Sequence, residues 1–404
     1  MSRVRIAIIG SGPAGLMAAE FARRSGSEVT IFEKRPSLGR KILIAGSSRL
    51  NITYDVGLET FINFYRCREV NDRQMIDQCL RFFKPSDWIK YLADINVESF
   101  VGTSGRVLIK DQKASHALKV WTEKLKAMGV STETKMELYE LKAHDQRVDL
   151  CFRPYPHDQS VEPTIRSFDA CILALGSPAW ETQTASQLSQ LLEPHGVQIR
   201  PFIPSNVGYS LPNLEKFLKE CEGRPLKNCA LTTASGTKRG DIMVTSYGIE
   251  GTPVYYVGTS GLATLNLKPN VSHERWLIEL LKPAKENYSP MRRMQRLGGL
   301  SESSYALLYH TAPDAARSSI EKLAQFAQAV PLELVAPRTL EESISASGGV
   351  CFSELDRDFQ LKRLPKVYAI GEMLDWDAPT GGFLIQGCVS MGAYVGAKIA
   401  GSIS

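Results

Sequence analysis

From Val4 to Ile9 the chain is almost wholly apolar and β-branched, the pattern of a buried strand, and it runs directly into Gly10-Ser-Gly-Pro-Ala-Gly15. Leu16 to Arg24 then reads as a helix, and Ser27 to Phe32 as a second strand ending on Glu33. The three glycines of the turn differ in role. Gly10 allows the tight bend, Gly12 lets the backbone approach a pyrophosphate, and Gly15 lets the helix pack on the strand. With Pro13 and Ala14 opening the helix, its unpaired N–H groups and dipole favour an anion. Glu33 follows Gly15 by 18 residues, close to the spacing of a carboxylate that accepts from a ribose hydroxyl. Strand, glycines, helix, strand and acid in this order predict a bound dinucleotide, and at this point NAD and FAD fit equally well.

Residues 34–53 place Lys34, Arg40, Lys41, Arg49 and Asn51 among two small-residue turns and a short apolar run, a loop suited to covering the phosphates and sugar of an extended cofactor. Met75, Cys79, Phe82, Phe83, Trp88, Ile89 and Leu92 recur at helical spacing and predict one or two helices in 56–96. A hairpin is expected over Val97 to Ile109, an amphipathic helix over Ser115 to Met128, strands at about 130–142 and 147–153, and one strand over Ser167 to Leu175 that ends on Gly176.

Between 198 and 270 proline and glycine punctuate short alternating runs, Ala230 to Thr233, Asp241 to Thr245, Val254 to Val257 and Ala263 to Leu267, which predict a small inserted β-barrel or sandwich. From Ser272 to about Gln328 the period becomes helical, with Arg292, Arg293 and Arg296 in a linker, and 332–347 looks like strand returning to the barrel. The expected fold is α/β. A discontinuous Rossmann-like FAD-binding domain (1–195 and 348–404) carries an inserted β-barrel domain (196–270 and 331–347) and a small helical lobe (271–330).

At 404 residues, several domains are the prior. A net charge of +5 permits a polyanionic partner without demanding one. The eight cysteines lack CxxC pairing and the six histidines are scattered, so reduced thiols and no metal site are expected. With the first strand at residue 4 and no apolar run of spanning length, a leaderless cytoplasmic protein without membrane contact is expected.

The C-terminal stretch decides the cofactor. Leu364 to Ile370 reads as a strand that ends at Gly371-Glu372, and Gly381-Gly382-Phe383 opens a helix packed through Gly387, Gly392 and Gly396. This second helix N-terminus can present the backbone N–H groups of Gly382 and Phe383 to the N1–C2=O edge of an isoalloxazine, where charge accumulates on reduction. A continuous NAD domain needs no such closing segment, so the split pattern favours FAD.

On these residues the chain resembles the HI0933-like flavoproteins. The resemblance rests on Gly10 to Gly15, Gly39-Arg-Lys-Ile-Leu-Ile-Ala-Gly46 with Asn51, Pro204-Ser-Asn206, Ala346-Ser-Gly-Gly-Val350 and the block Gly371-Glu-Met-Leu-Asp-Trp-Asp-Ala-Pro-Thr-Gly-Gly-Phe-Leu-Ile-Gln386, which marks one branch. It implies the same three-part build, with flavin at the junction. Two departures stand out. Arg49-Leu50-Asn51 replaces the family's Arg-Cys-Asn, which removes thiol chemistry from position 50. Gly176-Ser-Pro-Ala-Trp-Glu-Thr-Gln-Thr replaces its usual glycine-rich continuation.

The expected activity is reduction of an activated C=C bond by hydride from flavin N5; the resemblance implies either an enone-type small molecule or uridine in ribosomal RNA. No second GxGxxG follows a strand, so NAD(P)H is expected only as a transient visitor. Glu372 or Asp375 is expected at the ribityl chain, another of Glu372, Asp375 and Asp377 is a candidate proton relay, Arg49 and Lys41 are set near phosphate or a substrate carbonyl, and Cys351 and Cys388 are expected to be packing residues. No catalytic residue is assigned. The alternatives are a flavin oxidase, or an RNA-docking flavoprotein with structural FAD that uses Arg292 to Arg296.

Overall fold

The computed structural model describes residues 3–46, 49–102, 104–110, 113–158, 160–181, 183–283 and 288–403. Ser47 and Ser48 of the expected cofactor loop, and 284–287 of the expected helical stretch, lie outside that set. The chain divides into two compact units, Met1–Ile203 with Ala346–Ser404, and Pro204–Ser345.

The first unit is built on a five-stranded parallel sheet. Its centre is β1 (Arg5–Ile9), flanked by β2 (Glu28–Glu33) and by Ala170–Leu173; Ser131–Thr134 and Val367–Ala369 form the edges. Register is continuous: Ile9 lies opposite Phe32 on one side and Leu173 on the other. The β-branched side chains of β1 are fully buried at Ile6 and Ile8, as expected for a parallel strand covered on both faces. Because neighbouring strands leave β1 in opposite directions, a crevice opens at its carboxyl end, where α1 (Pro13–Arg24) starts.

Two further elements shape that crevice. The stretch after β2 folds into α2 (Arg40–Ala45), then enters β3 (Asn51–Tyr54), which pairs with Arg106–Ile109 of the hairpin. The closing helix, Phe383–Ile403, packs along α1. Phe383 anchors its first turn, fully buried with ring centroids 4.7 Å from Phe64, 4.8 Å from Phe61 and 5.1 Å from Tyr54. Burying such a ring contributes about 2–3 kcal/mol.

Several elements differ from the sequence expectation. The strand expected over Ser167 to Leu175 is two: Thr164–Phe168 belongs to an antiparallel sheet, Ala170–Leu173 to the parallel one. Asp169 makes the break, donating its N–H to Arg5 O (2.9 Å) and accepting the Arg5 N–H on Oδ2 (2.7 Å), so the chain turns where it is clamped to β1. Residues 56–96 hold three helices, Leu58–Ile62, Val70–Phe82 and Pro85–Asp94.

The second unit contains a six-stranded antiparallel sheet that closes nearly into a barrel, its ends joined by Ser210 N–H to Ala336 O and Val335 N–H to Ser210 O, both 3.1 Å. Val254 to Val257 is not one of its strands. Gly251 at φ 113° and Pro253 in the first turn start a short helix there, Thr252–Val257. Of the expected return strand, Val330–Leu334 joins the barrel sheet, whereas Ser345–Val350 pairs with Ile199–Ser205. The three arginines expected in a linker lie on a helix, Pro290–Leu297, where Arg293 donates to Leu280 O and Lys282 O at the end of the preceding helix.

Candidate functional site

The glycine turn separates internal from external requirements. A β-carbon at Gly10 would lie 2.3 Å from Ala174 O, and one at Gly15 would lie 2.1 Å from Gly10 O, so packing alone demands both glycines. At Gly12 a β-carbon would meet nothing within 4 Å, and its φ of −70° suits any residue. Neither packing nor backbone conformation requires glycine there. The uncapped N-terminus of α1 lies directly behind this open space, an arrangement suited to an anion.

Ser11, which carries no signal of its own in the sequence, ties the turn to Glu33. Its N–H (3.2 Å) and Oγ (2.5 Å) both donate to Glu33 Oε2, and its Oγ accepts from Gly39 N–H at 3.0 Å. Among the described residues, Glu33 Oε1 accepts only the Arg35 N–H, at 2.9 Å. The carboxylate is thereby held in place at the end of β2 beside the turn.

A second group gathers Lys41, Gly176 and Glu372. Lys41 Nζ donates to Ser177 O, and a β-carbon at Gly176 would sit 3.6 Å from that nitrogen. Ser177 Oγ donates to Glu372 Oε2 at 3.3 Å. Burial lowers the Lys41 pKa and raises that of Glu372, in each case against the pull of the other's charge. Burial likewise pushes the Cys388 thiol well up, which keeps it a protonated packing residue. Gly371 brings this group to α1, since a β-carbon there would lie 3.0 Å from Ala14 Cβ.

The start of the closing helix borders β3. Gly381 and Gly382 take φ of 115° and 99°, and a β-carbon at Gly382 would sit 2.5 Å from Thr53 N. Within β3, Asn51 Oδ1 and Thr53 Oγ1 are buried without hydrogen-bond partners among the described residues. Buried acceptors are rarely left so unless a ligand or water completes them. The closing helix runs parallel to α1, with Gly392 on Ala14 and Gly396 on Ala18. At about 1.5 Å rise per residue, its first turn projects about 12 Å beyond that of α1. Two helix tips with that stagger fit an anionic pyrophosphate at one and a flavin ring at the other, joined by an extended ribityl chain; the orphaned acceptors and the open space at Gly12 fit the same group.

Other expected contacts go elsewhere. Asp375 Oδ2 pairs with Arg200 Nε (3.0 Å) and Arg68 Nε (3.2 Å), neither of them a residue the sequence singled out. Asp377 pairs with Arg66 at 2.7 Å. Lys34 pairs with Glu181 at 3.1 Å, Arg40 is exposed on the first turn of α2, and Arg49 lies over the Phe100 ring at 5.9 Å. Cys351 is buried beside Arg200. Phe383 turns its ring into the aromatic cluster, leaving only its backbone for a cofactor. Ser177 and Ser11 were legible only as neighbours of glycines already singled out; nothing local marked Arg68 or Arg200.

Against known proteins, the family described as "HI0933-like protein Rossmann domain" matches residues 4–398. The chain is 23% identical to the ribosomal RNA dihydrouridine synthase of Escherichia coli strain K12, over 96% of this chain and 95% of that protein. It is 24% identical to the 3-dehydro-bile acid delta(4,6)-reductase of Clostridium scindens, over 63% of this chain and 59% of that one. Among solved structures, 3-ketosteroid delta1-dehydrogenase from Sterolibacterium denitrificans aligns with TM-score 0.52 at 11% identity, covering 98% of this chain and 99% of that one, a likeness of fold. Among the described residues, no helix is long and apolar enough to cross a membrane.

Proposed function

The chain belongs to the HI0933-like family, and on that premise we propose that it is an FAD-dependent oxidoreductase that saturates an activated carbon–carbon double bond, in an enone-type small molecule or in a uracil base of RNA. The observation that carries the reading is the parallel stagger of the two glycine-opened helices, with open space at Gly12. The two relatives named above, a dihydrouridine synthase and a bile-acid reductase, both have names that fit saturation of a C=C bond, and this supports the reaction class.

Bound FAD supplies the hydride acceptor and donor, and the protein supplies position and polarity. The first turn of α1 and Gly12 hold the pyrophosphate, with Lys41 close enough to Gly176 and Ser177 to offset its charge. Glu33, steadied by Ser11, accepts from the adenosine ribose. Asn51 Oδ1 accepts from the cofactor, and Glu372 meets the ribityl hydroxyls. Burial raises the Glu372 pKa, so its carboxyl holds a proton to higher pH than an exposed one. The closing helix aims its positive end at the edge of the ring that gains charge on reduction.

The hydride source is NADH or NADPH arriving transiently, since the sequence holds no second GxGxxG after a strand; either should bleach the flavin slowly when no second substrate is present. The deciding experiment is anaerobic. The bound flavin is reduced chemically, then offered an enone or undermodified ribosomal RNA. Reoxidation with gain of two hydrogens in the acceptor is expected; reoxidation by oxygen alone, with peroxide formed, would make the protein an oxidase.

A further inference from the structure

Two buried aspartates of the segment between Glu372 and Gly381 hold three arginines, Arg66 by a terminal nitrogen and Arg68 and Arg200 by their inner nitrogens. Asp375 and Asp377 are 4% and 8% exposed, yet Arg66, Arg68 and Arg200, which they pair, are each close to half exposed. Arg68 and Arg200 reach Asp375 through Nε, the nitrogen nearest the chain. For Arg68 no further ion pair or hydrogen bond of the terminal nitrogens occurs among the described residues, and Arg200 also hydrogen-bonds the Cys351 thiol. One carboxylate is shared by two guanidinium groups, with Asp72 also facing Arg200, and the anchors fix where the half-exposed forks point.

Arg66 and Arg68 lie on an extended stretch locked to the aspartate segment by Arg66 N–H to Asp377 O (2.7 Å) and Asp377 N–H to Arg66 O (3.0 Å). Side chains at i and i+2 of extended backbone share a face about 6.6 Å apart. Cys67 between them is turned inward, where burial pushes its thiol up to about 12. That separation is the phosphate-to-phosphate repeat of an extended single-stranded polynucleotide. Guanidinium forks recognise phosphodiester oxygens in pairs.

We propose that Arg66, Arg68 and Arg200, held by Asp375 and Asp377, form a phosphate track for consecutive phosphodiesters of a single-stranded polynucleotide beside the cofactor site. The proposal rests on the flavin reading only for the position of that site. It commits the substrate to a base carried on a strand; a free small molecule would leave the three forks unused.

The FAD-loaded full chain is titrated with a fluorescein-labelled single-stranded oligouridylate at several salt concentrations, by anisotropy. Each of Arg66→Gln, Arg68→Gln and Arg200→Gln should weaken binding several-fold and lower the salt slope by about 0.7. Flavin absorbance and melting temperature serve as the check that each variant is folded. Asp375→Asn adds positive charge but frees the forks, so it should weaken binding too; tighter binding would mean unspecific attraction and overturn the proposal. Arg292→Gln with Arg296→Gln, on the helix of the other unit, should leave the slope unchanged, and a loss there alone would move the site away from the track. Uridine monophosphate competing as well as the oligonucleotide, base for base, would also overturn it. Strand binding with the expected slopes but no reoxidation of reduced flavin leaves the track standing and sinks the reductase reading; reoxidation by enones with slopes unchanged in all three variants does the reverse.

Discussion

The backbone of Gly392 lies against the carbonyl of Ala14, so closely that a β-carbon on Gly392 would sit 2.3 Å from that oxygen. This contact sets how far the closing helix slides along α1, and so how far apart the two helix tips stand. Gly392→Ala should therefore destabilise the protein by about 1–3 kcal/mol through overpacking. It should also loosen flavin retention, although position 392 lies far along the helix from its tip. Thermal melting with and without FAD checks both; equal melting shifts in the two states would mean that the stagger does not matter to binding.

Gly12 and Gly10 should fail in different ways. Gly12→Asp adds its side chain to open space, so the FAD-free protein should melt within about 0.5 kcal/mol of the parent. A carboxylate facing the pyrophosphate should cost affinity by about 100-fold or more, the scale of an uncompensated charge. Gly10→Ala should instead unfold the domain, because its φ is 105° and Ala174 O occupies the space. Calorimetric titration of FAD, paired with melting curves, separates the two.

Asn51→Ala removes a buried oxygen that no described group satisfies. Losing an unpaired acceptor relieves a desolvation cost, so the FAD-free protein should change by less than about 1 kcal/mol, while FAD affinity falls about tenfold with the lost hydrogen bond. A large drop in FAD-free stability, with affinity untouched, would place Asn51 in the scaffold.

The buried pair of Glu372 and Lys41 should impose a pH dependence on the FAD-free protein. Burial raises the pKa of Glu372, so the folded chain holds that proton more tightly than the unfolded one. The stability this confers is complete below the ordinary glutamate pKa of about 4.3 and is lost as pH rises through the raised value. Lys41 is lowered, so its contribution is present above the ordinary lysine value and fades as pH falls through the lowered one. Melting temperature of the FAD-free protein should thus decline as pH rises from about 4.3 through the raised Glu372 value, and Glu372→Gln should flatten that decline. An unchanged profile in the variant would mean that the Glu372 carboxyl does not titrate in this window.

The parallel sheet, the glycine turn, the acid after β2 and the closing helix were all readable from the chain, because each is a local pattern: β-branched runs, glycine spacing and helical period over consecutive residues. Val254 to Val257 departs from its pattern for a related reason. Its alternation suits a strand, and only Gly251 and Pro253 upstream turn it into helix. The run from Ser167 to Leu175 reads as one strand because its interruption depends on Arg5, far away in sequence.

What the amino-acid order determined by itself was which segments form the glycine-opened helix starts, since such turns are made by residues adjacent in the chain. Tertiary structure alone decided which charges remain for chemistry. Asp375, expected at the ribityl chain, pairs its carboxylate with Arg68 and Arg200, and Gly12, alike to its two neighbouring glycines in the sequence, is left by packing in open space while they meet backbone. Side-chain pairing and burial join residues hundreds of positions apart, and no local pattern records them.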